Sequence, residues 1–329
     1  MRLNFPLALI TLLVAVFSTF AHAVGFQHVT APDPDGAPLE VGIWYPSNAM
    51  PTPVPMGRTT QTVAVNAPIE GKTLPLIVIS HGTGGSFLGH YDTAIALAEA
   101  GYVVAALTHP GDNYADQSRS ILIMERPRHI RRLTDYMLSD WDGRRQIDPA
   151  RVGMFGFSAG GFTTLVSIGG IPDLTKVAPF CQEHATDFAC QLLARHPEAA
   201  VAPPISYDGL QDLRIKAAVV AAPALGFTFV PDGLRNVTVP VALWRAENDA
   251  VLPHPWYAEA VRLALPRAPE YHVVEQAGHF DFLPPCSSAL SSVAANICSS
   301  APNFDRPVFH TRFNASVVEF FDKTLKHSE

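Results

Sequence analysis

The chain has 329 residues, 48% of them hydrophobic and 16% charged, with a formal net charge of −7. That composition suits a buried globular core rather than a disordered chain. The acidic balance argues against nucleic acid or an anionic membrane as partner, because both call for a basic surface.

The N-terminus reads as an export signal over residues 1–23. Arg2 supplies the positive start, Phe5 to Phe20 is an almost unbroken apolar run, and Ala21-His22-Ala23 has the small-x-small pattern of a cleavage site. The run is short for a membrane anchor, so no stable span is expected once the signal is removed. The mature protein is expected in the periplasm or secreted. Four cysteines fit that oxidising destination. They allow three pairings, of which the two local ones, Cys181 with Cys190 and Cys286 with Cys298, are preferred because each staples a loop-rich segment.

After the signal, Leu39–Tyr45 alternates like a half-buried strand, and the proline-rich stretches Ala31–Pro38 and Ser47–Met56 read as loops. Leu76–Ser80 and Tyr102–Leu107 are continuous apolar runs, as in strands buried on both faces, with a helix over Asp92–Ala100 between them. The spacing predicts helices over Arg128–Leu138, Phe162–Ile168, Trp256–Leu265 and Val317–Leu325. Strands are predicted over Arg151–Phe155, Ile215–Ala222, Val239–Arg245 and Tyr271–Glu275. Alternating strands and helices imply right-handed crossovers and a mostly parallel central sheet with helices on both faces. Residues 172–213 break the rhythm and read as an insertion or small cap within a single catalytic domain, 24–329.

Chemistry enters at Gly156-Phe157-Ser158-Ala159-Gly160. A Gly-x-Ser-x-Gly turn between strand and helix holds its serine in a strained conformation with the hydroxyl exposed, and the glycines allow strand and helix to pass closely. A serine hydroxyl needs a base to take its proton. His279, directly after the strand Tyr271–Glu275, is the candidate, and Asp249, just beyond the strand ending at Arg245, is the candidate acid that orients it. Glu247 is the nearest competitor of Asp249. Asp281 lies too near His279 in sequence to reach around its ring. Ester cleavage also needs N–H donors for an oxyanion. Ala159 and Thr83, the latter in His81-Gly82-Thr83-Gly84-Gly85, are the candidates, with His81 bracing that loop.

Together these motifs resemble the α/β-hydrolase superfamily. The text around Thr108-His109-Pro110-Gly111-Asp112 and His279-Phe280-Asp281-Phe282 is similar to its exported dienelactone-hydrolase-like branch, which resembles platelet-activating-factor acetylhydrolases. The resemblance implies the α/β-hydrolase fold and a serine esterase acting through an acyl-enzyme on a small-molecule or lipid-like ester, with no metal or organic cofactor. Two departures limit it. Dienelactone hydrolase carries a cysteine nucleophile where this chain has Ser158. The acetylhydrolases take their acid from the loop after the preceding strand, which here, Ala221–Gly226, has no carboxylate. A peptidase or amidase on the same scaffold, or a catalytically silent binding protein, are the alternatives. Acyl preference and oligomeric state are not legible.

Overall fold

A computed structural model describes residues 23–196 and 209–326. Residues 1–22 of the expected signal, and part of the expected insertion, lie outside the described residues. Ala23 already belongs to the first strand.

Among the described residues ten strands form one sheet: β1 (Ala23–Ala31), β2 (Leu39–Ser47), β3 (Thr52–Met56), β4 (Thr59–Val65), β5 (Leu74–Ser80), β6 (Val103–Thr108), β7 (Ile147–Phe157), β8 (Ile215–Ala221), β9 (Val241–Ala246) and β10 (Glu270–Val274). Their order is β10-β9-β8-β7-β5-β6-β2-β1-β4-β3. From β10 to β6 every neighbour is parallel, while β6, β2 and β1 pair antiparallel in turn. The mostly parallel sheet read from the sequence is therefore present.

β1 occupies residues adjoining the signal, where no element is expected, and the expected loop Ser47–Met56 contains β3. The prolines of β3 hide it from a propensity reading. It lies at the sheet's edge, where Pro53 and Pro55 face Thr62 and Thr60 of β4 and need no ladder bond on the outer side.

Alternating strand residues feed two cores. Val103, Ala105 and Leu107 of β6 point into one, and Val104 and Ala106 into the other. The first core is closed by α2 (Arg126–Ser139), α3 (Ala159–Ser167) and α6 (Ala258–Ala264), through Leu133, Phe162 and Val261. The second is closed by α1 (Tyr91–Glu99) and a C-terminal helix over Arg306–Phe321, through Leu97, Phe313 and Phe321. Helices on both faces thus bury the sheet. The C-terminal helix starts well before the expected Val317. Asp305 accepts the Val308 N–H as its N-cap and Pro307 sits in its first turn, a start signal the apolar spacing alone does not carry.

The expected insertion contains two short helices, α4 (Val177–Glu183) and α5 (Phe188–Ala194), tied by the Cys181–Cys190 disulfide. Cys286 and Cys298 form the second bridge, across α7 (Ser288–Ser291) and α8 (Ala295–Cys298). Numbered in chain order, the C-terminal helix is α9. Both bridges follow the preferred local pairing. Among the described residues no helix is long and apolar enough to cross a membrane.

Candidate active site

The candidate residues follow the carboxyl ends of parallel strands: the Thr83 loop after β5, Ser158 after β7, Asp249 after β9 and His279 after β10. Because these strands run the same way, their following loops gather at one edge of the sheet, where α/β proteins build their sites.

Ser158 is the tightest point of the chain there. Its φ of 56° and ψ of −117° put a side-chain-bearing residue in a costly region. Local bonds hold it. Its N–H donates to the Ala221 carbonyl at 2.9 Å, and its carbonyl accepts from Phe162 at 3.1 Å and Ala224 at 2.9 Å. The flanking glycines are required by contact. A Cβ on Gly156 would lie 2.1 Å from the Gly160 carbonyl oxygen, and one on Gly160 would lie 1.9 Å from that of Ser80. Ala159 opens α3, so its N–H is among those a helix leaves unpaired.

His279 is buried, and its Nδ1 donates to Asp249 Oδ2 at 2.8 Å. That bond leaves the lone pair of a neutral ring on Nε2. The other oxygen of Asp249, Oδ1, accepts from the N–H groups of Val251 and Leu252 at 3.0 and 2.7 Å, which fixes the carboxylate in its turn. The imidazole also packs on Phe157, the residue before Ser158, with ring centroids 4.8 Å apart. Glu247 instead receives the Gln276 N–H at an exposed position. Asp281 receives the Gly278 N–H at 2.8 Å and does not bond the His279 ring. The loop after β8, which lacks a carboxylate, packs Pro223 against Gly161 and donates Ala224 N–H to Ser158.

The Thr83 loop meets the nucleophile turn directly, since a Cβ on Gly82 would lie 3.3 Å from that of Ser158. Within the loop Gly84 N–H donates to Asp112 Oδ1 at 3.0 Å and Gly85 N–H to the Gly82 carbonyl at 3.1 Å. Thr83 N–H takes no part in these bonds. His81 braces the loop as expected: its Nδ1 donates to the Gly82 carbonyl at 2.6 Å, and its Nε2 accepts the His109 N–H at 3.0 Å. A ring that accepts on one nitrogen is neutral. Burial, with Arg126 adding to it, holds the His81 pKa well below the ordinary histidine value.

Several supporting residues escape a motif reading. Arg126, buried in the first turn of α2, donates Nε to Asp112 Oδ2 at 2.8 Å and Nη1 to the His81 carbonyl at 2.6 Å. Burial lowers its pKa, and the charge of Asp112 opposes that. This ion pair secures both ends of the Thr83 loop. Behind it, Ser80 Oγ bonds His109 Nε2 at 2.9 Å and His109 Nδ1 lies 3.2 Å from His129 Nδ1. The signal for Asp112 was present in Thr108–Asp112, but nothing in the order of residues pairs it with Arg126. Among the described residues no group of three or more His, Cys, Asp or Glu side chains is arranged to hold a metal ion.

The model of the family described as platelet-activating factor acetylhydrolase, isoform II, matches residues 48–126, which include the Thr83 loop, Asp112 and Arg126 but not Ser158. No curated protein sequence matches the chain. A ferulic acid esterase from Streptomyces cinnamoneus is similar in structure, with a TM-score of 0.63 at 18% identity, over 96% of this chain and 93% of that one. A dienelactone hydrolase from Anabaena variabilis superposes with a TM-score of 0.53 at 15% identity, over 92% of this chain and 100% of that one. At these identities the likeness speaks to architecture alone. The chain has the α/β-hydrolase fold.

Proposed function

We propose that the protein is a carboxylic-ester hydrolase that works through an acyl-enzyme, with Ser158 as nucleophile, His279 as base and Asp249 as the acid that orients it. The observation that carries this reading is the buried 2.8 Å bond between His279 Nδ1 and Asp249 Oδ2 beside the strained serine turn. His279 Nε2 takes the Ser158 proton as Oγ attacks the ester carbonyl, and Asp249 stabilises the imidazolium. The N–H groups of Thr83 and Ala159 receive the oxyanion of the tetrahedral intermediate. Its collapse returns the proton to the alcohol, which leaves. Water, deprotonated by His279, then attacks the acyl-enzyme and releases the acid with Ser158 restored.

The names of the similar proteins, an esterase and a hydrolase among them, support an ester as the bond broken. The two disulfides support export to an oxidising compartment. A fluorophosphonate probe tests the chemistry. It is expected to label the wild type at Ser158 and to leave Ser158→Ala unlabelled, with turnover reduced by several powers of ten. A folded Ser158→Ala protein that keeps a tenth of the esterase activity removes the assignment. A parallel panel of esters and anilides separates an esterase from an amidase.

A further inference from the structure

One aromatic cluster beside the proposed triad takes no part in its chemistry and is not fully covered. Phe180 of α4 stacks on Phe227, which follows β8, with centroids 3.8 Å apart and planes within 10°. His184 lies 4.4 Å from the same phenyl ring, and Trp256 meets it edge-on at 6.1 Å. Trp256 also meets His184 at 5.0 Å, yet 42% of its surface is exposed. An indole left half open at the rim of packed rings offers a binding face, since a large apolar surface is otherwise costly to leave in water.

The cluster adjoins the reacting residues on two sides. Ala224 packs against it and donates its N–H to the Ser158 carbonyl. Leu252 belongs to it and Val251 packs against it, and both donate N–H groups to Asp249. It is held rigid as well. The Cys181–Cys190 bridge joins α4 to α5, and Tyr257 Oη donates to Asp187 Oδ1, the α5 N-cap, at 2.6 Å. A rigid set of ring faces suits a flat ring, which stacks on them beyond the gain from area alone. A flexible alkyl chain gains no stacking and loses rotamer freedom on binding.

We infer that Trp256, His184 and Phe227 form the subsite for an aromatic ring of the ester substrate, so that the substrate class is aryl-bearing esters rather than straight-chain alkyl esters. The inference rests on the serine-esterase reading above. The test compares two pairs, methyl phenylacetate against methyl octanoate and benzyl acetate against heptyl acetate, by pH-stat in wild type, Trp256→Ala and Trp256→Phe. The wild type is expected to favour the aryl member of at least one pair by roughly tenfold in kcat/KM. Trp256→Ala is expected to abolish that preference through KM, and Trp256→Phe to restore most of it. Labelling by the fluorophosphonate reports the chemistry separately. Normal labelling with no aryl preference in the wild type, or with a preference unchanged in Trp256→Ala, overturns the subsite alone. Absent labelling and turnover of no ester overturn the esterase reading and the subsite with it.

Discussion

Arg306 Nε lies 2.9 Å from Asp281 Oδ1, and this buried pair fastens the His279 loop to the first turn of α9. Asp281 spends its other oxygen on the Gly278 N–H, one residue before His279. Arg306 reaches onward to the carbonyls of Ile297 and Ser299. Removing one member of a buried pair strands the other, at a cost of about 3–5 kcal/mol. Arg306→Leu is therefore expected to unfold at markedly lower denaturant. A loss below about 1 kcal/mol would show that the pair is dispensable.

The Cys286–Cys298 bridge closes the segment that Arg306 grips, whereas Cys181–Cys190 staples the insertion. Each short loop contributes roughly 2–3 kcal/mol by constraining the unfolded chain. Replacing Cys286 and Cys298 by serine is expected to lower both the melting temperature and kcat, because the His279 loop loses a support. Unchanged kcat in a variant that melts lower would separate the bridge from the site.

Asp249 and Glu247 share one loop but not one partner. Asp249→Asn removes the carboxylate that orients His279 and is expected to lower kcat by powers of ten. Glu247→Gln loses one exposed acceptor for Gln276 N–H and is expected to retain most activity. Steady-state kinetics of the two variants decide between the acids, and the reverse ranking would exchange their roles.

Gly160→Ala pushes a methyl group to within 1.9 Å of the Ser80 carbonyl oxygen and 2.9 Å of that of His81, and backbone cannot yield as a flexible side chain does. The expected cost is about 3 kcal/mol or more, at the upper end for overpacking. Gly89→Ala meets only ordinary contact, with its nearest neighbour, His81 Cβ, at 3.6 Å, and serves as control. Equal melting temperatures for the two variants would contradict the steric account of the elbow.

Acid should weaken the fold through its buried histidines. Burial lowers the pKa of His129 to about 4, from 6.5 in an open chain, and that of His90 to about 3 against the opposing charge of Asp92. Below pH 6.5 the unfolded chain binds protons that the folded one refuses, so stability falls as pH drops through that window. For His129 the loss approaches about 3 kcal/mol by pH 4. His129→Gln is expected to show a shallower decline in melting temperature over the same range, and parallel curves would rule out His129 as a contributor.

The repeated strand and helix patterns, the Gly-x-Ser-x-Gly turn and the strand-end positions of Asp249 and His279 were legible because each is a local feature. Period, turn chemistry and position after a strand all lie within about a dozen residues of sequence. The local disulfide pairs were legible for the same reason. β3 was not, because its prolines suit an edge that exists only once β4 lies beside it. Nor was the pairing of Arg126 with Asp112, of Arg306 with Asp281, or of His81 with His109. A charge in the sequence carries no record of which distant partner will lie within 3 Å of it. Burial makes those partners obligatory, since an isolated charge or polar group out of water is costly. Only the assembled sheet, with its helices packed on both faces, decides which groups are buried together.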